Sequence, residues 1–131
     1  MLAELSTHVR MAVVTTARRV DFDLIHAERQ ITRFMEFVLV REDYGNTKPH
    51  PEPYLTGLER LGATAAETLV VEVSVRGLRS AVAAGIDCAV VHSDFAATQD
   101  LHEAAYRIDG LRELRDIVLG PEGSDGAAPA P

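Results

Sequence analysis

The chain is short of three things, and each shortage narrows what it does. It has one cysteine, Cys88, in 131 residues, so an internal disulfide is excluded and a reducing compartment is expected. Positive charge is scarce: 13 Lys and Arg stand against 20 Asp and Glu, for a net charge of −7. A nucleic-acid surface needs clustered basic side chains to replace phosphate counterions, so nucleic acid is not an expected partner. Long apolar runs are lacking too, and none approaches the roughly 18 residues of a membrane span. Glu4 interrupts the apolar core that a signal peptide would need. These features point to a cytoplasmic protein with no membrane partner. With 47% apolar and 25% charged residues, the composition suits one globular domain with a real core.

What is present is an alternation of apolar stretches and helix patterns. Residues 2–9 suit a short helix leading into "MAVVTT" (11–16), an apolar run that ends in hydroxyls. Phe22, Ile25, Ile31 and Phe34 fall at helical spacing across 21–33, and "FMEFVLV" (34–40) reads as a strand. "REDYGNTKPHPEP" (41–53) is a loop whose last proline opens a helix over 53–62, with Leu55, Leu58 and Leu61 as its apolar positions and Gly62 as its stop. "TLVVEV" (68–73) is almost wholly apolar, as expected of a strand covered on both faces. A helix over 75–84 ends at Gly85, "DCAVV" (87–91) and "AYRI" (105–108) read as further strands, and "LRELRDIVL" (111–119) as a last helix. The small, proline-rich tail 120–131 is expected to be disordered. The pattern predicts an α/β domain over 1–119 with a parallel sheet flanked by helices.

In such sheets ligands bind beyond the carboxyl ends of the strands. Thr15 and Thr16, Lys48, and Glu72-Val73-Ser74 all fall there. Hydroxyls, an ammonium and a carboxylate on one edge suit a phosphoryl group: donors hold its oxygens, lysine offsets its charge, and carboxylates hold Mg²⁺. Singly, each has an ordinary explanation. Thr-Thr commonly closes a strand, a lysine beside Asn and Pro is usually a surface residue, and Ser74 suits a helix N-cap.

Read in order, "MAVVTT", "REDYGNTKPHPEPYLTGLERLG" and "TLVVEVSVRGLRSAVAAGI" resemble the second, third and fourth motifs of the haloacid dehalogenase (HAD) superfamily. The nearest type is that of the phosphoglycolate phosphatases and β-phosphoglucomutases, over residues 1–119. The resemblance implies a Rossmann-like HAD core and a phosphoric-ester hydrolase acting on a phosphorylated small molecule with Mg²⁺. It implies that Thr15 binds phosphate with Thr16 beside it, that Lys48 steadies phosphate and nucleophile, and that Glu72 is the first acid of the metal motif.

Two departures stand out. Val73 occupies the position of the second metal-binding acid, and valine has no lone pair to offer. The family's first motif, a strand ending in Asp-x-Asp-Gly-Thr, and the cap inserted after it have no counterpart here. The resemblance places that strand in the middle of the sheet, between the strands of "MAVVTT" and "TLVVEV". The expectation is therefore a core without its central strand and cap, inactive alone as a truncated product or pseudoenzyme. The alternatives are a non-catalytic binding module or one part of a split enzyme, either self-associating or joined by a chain that supplies the strand.

Asp21-Phe22-Asp23 copies the missing Asp-x-Asp in letters only, since it follows Arg-Arg-Val and falls on a helix. His26, His50, His92 and His102 lack metal-ligand spacing and read as ordinary histidines. A phosphorelay receiver domain shares the strand-end Thr and the Lys-Pro pair. It fits poorly, because two convincing strands still follow Lys48.

Overall fold

Strand β4 (Asp87–Val91) organises the molecule. Its buried residues alternate in direction, as a strand's must. Cys88 and Val90 pack with Val70, Leu78, Ala81 and Tyr54 on one face, while Ala89 packs with Leu5, Ile108 and Leu114 on the other. β4 lies between β3 (Leu69–Glu72) and β5 (Tyr106–Ile108), and both pairings are parallel. Helices α3 (Glu52–Leu61) and α4 (Val75–Ala83) supply the first core, and α1 (Leu2–Ser6) and α5 (Leu111–Leu119) supply the second. This computed structural model describes residues 2–26, 31–92 and 100–120.

The sheet is divided. β1 (Val13–Val14) and β2 (Val38–Leu39) pair in parallel with each other, but not with β3. The single parallel sheet of the sequence reading is thus found as two pieces. The division falls between β1 and β3, where the resemblance places a further strand.

α3 fastens the smaller piece to the larger. Its buried residues are Pro53, Tyr54 and Gly57, whereas Leu55 faces out. The leucine spacing therefore held for Leu58, which packs on the core, and failed for Leu55. Gly57 explains why: a Cβ there would already touch Val14 Cγ2 at 3.4 Å and approach Leu39 Cδ1 at 4.0 Å. The helix seats its smallest residue, not a leucine, on the two-stranded sheet. It closes at Gly62, whose φ of 66° suits glycine, with the Gly62 N–H on the Glu59 carbonyl.

Other boundaries moved for local reasons. The helix expected over 21–33 is α2 (Arg19–His26), and a 3₁₀ turn occupies Ile31–Phe34; residues 27–30 lie outside the described residues. That turn, with Met35 N–H on the Thr32 carbonyl, takes up the start of the strand expected over 34–40 and leaves Val38–Leu39 to pair. The tail from 121 onward lies outside the described residues.

Candidate functional site

A cleft of about 540 Å³ opens between the carboxyl ends of β1 and β3 and the start of α4. Thr15, Thr16, Lys48, Glu72, Val73 and Ser74 all line it. The residues singled out from the sequence therefore come together in space. Asp21 and Asp23 do not line it. They sit on α2 against Arg18 and Arg19.

Lys48 is the hinge of the arrangement. Its Nζ donates to the Val14 carbonyl at 3.1 Å and to Glu72 Oε2 at 2.5 Å, so one ammonium ties the end of β1 to the end of β3. Both side chains are 10% exposed. A buried ion pair survives only if its remaining hydrogen-bonding positions are met. Here the Tyr54 hydroxyl donates to the same carboxylate oxygen, and the Tyr54 ring lies 4.9 Å from Lys48 Nζ. Burial, and then the negative charge of Glu72, push the Tyr54 hydroxyl far above its usual range, so it stays a donor.

The loop that delivers Lys48 is fixed at several points. Glu52 accepts from Gly45 N–H and Asn46 N–H, Ser80 Oγ donates to the His50 carbonyl at 2.7 Å, and Arg76 donates to the Lys48 carbonyl at 3.2 Å. A charged side chain held by its backbone loses less freedom when a ligand arrives. An ammonium has three donors. Two are taken by Val14 and Glu72, which leaves one for the cleft.

Glu72 and Ser74 owe their positions to α4. Ser74 is its N-cap, accepting from Gly77 N–H at 3.1 Å. Glu72 folds back against the first turn of the same helix, where a Cβ on Gly77 would lie 2.0 Å from the Glu72 carboxyl carbon. Only glycine admits the carboxylate there. At the other wall, Thr15 Oγ1 accepts from Ala17 N–H at 3.1 Å, which turns the chain after β1 and leaves the hydroxyl proton available to a ligand. Thr16 is exposed at the rim.

Sequence reasoning missed Tyr54 and Gly77. The signal for Gly77 was present, since a glycine three residues after an N-cap serine marks a close approach when an acid precedes the helix. Tyr54 left no signal in the chain, because its partner is 18 residues away.

The fit to Mg²⁺ is poor. Magnesium in phosphate sites is held by one or two carboxylates with substrate oxygens. Glu72 is the one carboxylate among the described lining residues, and it is already paired with Lys48 and Tyr54. Val73 adds no donor, and no group of three or more His, Cys, Asp or Glu gathers among the described residues. His50 accepts from Glu52 N–H, and His102 pairs with Asp100. Cys88 is buried in the core, and burial pushes its thiol up to about 12, so it stays protonated.

This division of roles defines a class. Residues 1–91 match the model of the haloacid dehalogenase-like hydrolases, and the chain belongs to that family. Among its relatives, the putative phosphatase YhcW of Bacillus subtilis is 32% identical over 93 residues, covering 70% of this chain and 42% of that protein. Protein CbbY of Rhodobacter capsulatus is 31% identical over 106 residues, covering 79% of this chain and 47% of that one. The solved HAD phosphatase of Thermococcus onnurineus superposes with a TM-score of 0.80 at 26% identity, over 91% of this chain and 55% of that one. The chain thus spans about half the length of these relatives.

Proposed function

We propose that this chain forms the phosphate-holding wall of a HAD-type phosphatase site and that, by itself, it holds an anion without turning it over. The observation that carries this reading is Lys48: an ammonium buried on a fixed loop, tied to both strand ends, with one donor left toward a cleft rimmed by threonine hydroxyls. Lys48 would meet one phosphoryl oxygen as a point charge, and the Thr15 hydroxyl would donate to another. Thr16, exposed at the rim, adds a third donor within the same turn.

Attack on phosphorus needs a nucleophile whose electrons are free. Among the described residues lining the cleft, the only carboxylate is Glu72, and Lys48 and Tyr54 hold it. Phosphoryl transfer is mostly positioning and charge stabilisation, but both act on a reacting pair. Half of that pair is lacking in this wall. The pairing with Glu72 also offsets much of the Lys48 charge, so phosphate binding should be weak.

Two measurements on the purified chain test this. Incubation with p-nitrophenyl phosphate and Mg²⁺ should match the buffer blank. Titration with inorganic phosphate, followed by phosphorus NMR, should show line broadening that Thr15→Val reduces. Turnover abolished by Lys48→Ala, or no phosphate response at all, would overturn the reading.

A further inference from the structure

Lys48 brings little net charge to the cleft, because Glu72 offsets it. Arg76 is different. It lines the same cleft and is exposed, and among the described residues no carboxylate lies within ion-pair distance of it. The charged residues described in the lining are Lys48, Glu72 and Arg76. The ammonium and the carboxylate cancel, so the guanidinium leaves the cleft net positive on a chain whose net charge is −7.

The guanidinium is fixed in place but only partly used. Its Nη2 donates to the Lys48 carbonyl at 3.2 Å, which sets Arg76 beside the loop that delivers Lys48. A guanidinium has five N–H donors in a planar fork that matches phosphate oxygens. One donor goes to that carbonyl, and the others remain for a ligand. Arg76 also stands in the first turn of α4, a turn without an acid. The start of a helix already carries partial positive charge, so a cation there is disfavoured while the cleft is empty of anions. A bound anion reverses the sign, since it meets the guanidinium and the helix end together.

The same residues make the cleft a poor place for Mg²⁺. Val73 offers no lone pair, Lys48 and Tyr54 hold Glu72, and the charge of Arg76 repels a second cation. We propose that Arg76 takes the electrostatic part that a divalent ion takes in other phosphate sites. It binds phosphoryl oxygens directly, and phosphate binding by this chain needs no Mg²⁺. The inference rests on the phosphate reading of the cleft and adds the residue that supplies the charge. Lys48 and Thr15 contribute directed donors, and Arg76 contributes the attraction.

The probe is inorganic phosphate, titrated by phosphorus NMR against the full chain in metal-free buffer and again with Mg²⁺ added. The parent should show the same Kd in both buffers. Arg76→Gln keeps an amide donor for the Lys48 carbonyl and removes only the charge, at a position that is already exposed. It should raise Kd by about fivefold or more, as expected when a charge-assisted contact is lost. Its binding should also depend less steeply on salt than the parent's, a change that loosening of the Lys48 loop alone would not produce. Arg76→Lys, which keeps the charge without the fork, should fall between the two. Binding that appears only with Mg²⁺ would overturn the proposal. So would an Arg76→Gln variant with the parent's Kd and salt dependence; if Thr15→Val still weakens binding in that case, the phosphate reading stands without Arg76. No phosphate response in either buffer would overturn both.

Discussion

The two half-sheets make the same kind of parallel ladder by different means. β3 and β4 are mostly apolar, "LVVE" beside "DCAVV", with helices on both faces and buried residues at Cys88, Ala89 and Val90, and β5 adds Ile108 to the core. β1 and β2 pair over two residues each, held by the packing of Leu39 and Val14 under α3 and by polar contacts from loops. The Tyr44 hydroxyl donates to the Thr15 carbonyl at 2.7 Å, Arg41 N–H to the Ala17 carbonyl at 2.9 Å, and Arg19 N–H to Glu42 at 2.9 Å. One half is built on a core, and the other is moored to it. The mooring that crosses the gap is Lys48, and that explains why a residue suited to hold phosphate is also structural. Chemistry and assembly meet in one ammonium.

The largest effect should come from cutting that mooring. Glu72→Ala leaves Lys48 and the Tyr54 hydroxyl buried without their acceptor. Removing one partner of a buried pair costs about 3–5 kcal/mol, because the survivor's charge is uncompensated. The urea midpoint should fall accordingly. The double replacement Lys48→Met/Glu72→Leu, which removes both charges and keeps the volume, should recover most of the loss. A single variant as stable as the parent would mean that the halves hold together without the pair.

Amide exchange tests the same contrast without a mutation. Local opening is cheapest where few buried contacts stand behind the hydrogen bonds. Amides of Val70, Ala89 and Val90 should exchange near the global rate. Those of Val13 and Thr15 should exchange faster by roughly tenfold or more, since a small local opening releases them. Equal protection across both ladders would make the division between them one of geometry alone.

The same contrast governs how much was legible in the sequence. The core-built half was clear: β4 and α5 lie where continuous apolar letters and helical spacing put them, and α4 starts at its serine cap. The moored half was read less well. The apolar run "FMEFVLV" suggested a short strand over 34–40, but a 3₁₀ turn claims its start, and only Val38–Leu39 pair. On α3 Leu58 packs on the core as its spacing implied, yet Leu55 faces out and Gly57 is what seats on the small sheet. The site residues Thr15, Lys48 and Glu72 were found because they sit at strand ends and in motif order. Their fixation by Tyr54, and the pairing that occupies Glu72, are matters of distance in space that no spacing along the chain encodes.

A gentler change sharpens the view of the cleft itself. Val73 is past the end of β3 and 59% exposed, so Val73→Asp should cost little stability. The cost expected from losing an apolar contact at that position is smaller than the strand reading of 68–73 implied. An aspartate there lines the same cleft as Glu72 and supplies the second carboxylate that magnesium sites commonly use. Calorimetric titration should show Mg²⁺ bound more tightly than by the parent chain. Turnover of p-nitrophenyl phosphate should remain absent. Identical Mg²⁺ titrations would place residue 73 outside the site.

The smallest effect is a pH dependence at the loop that carries Lys48. The Glu52 carboxylate is held below its usual range by the Gly45 and Asn46 backbone N–H groups it accepts from, and Glu36 is held low by the Arg10 guanidinium. A carboxyl whose folded-state pKa is depressed stabilises the fold at pH values above its ordinary range, and that contribution is lost as pH falls through the lowered value. Acid should therefore loosen the loop that carries Lys48, the link from Arg10 to the approach of β2, and the link from Arg115 to Glu4 between α5 and α1. These groups are exposed, so water screens them and each contribution is small. Amide chemical shifts followed from neutral pH down through the carboxylate range should move first at Gly45 and Asn46, while Ala89 and Val90 stay fixed. In Glu52→Gln the Gly45 and Asn46 response should vanish, and a response that persists there would assign the titration to a group other than Glu52.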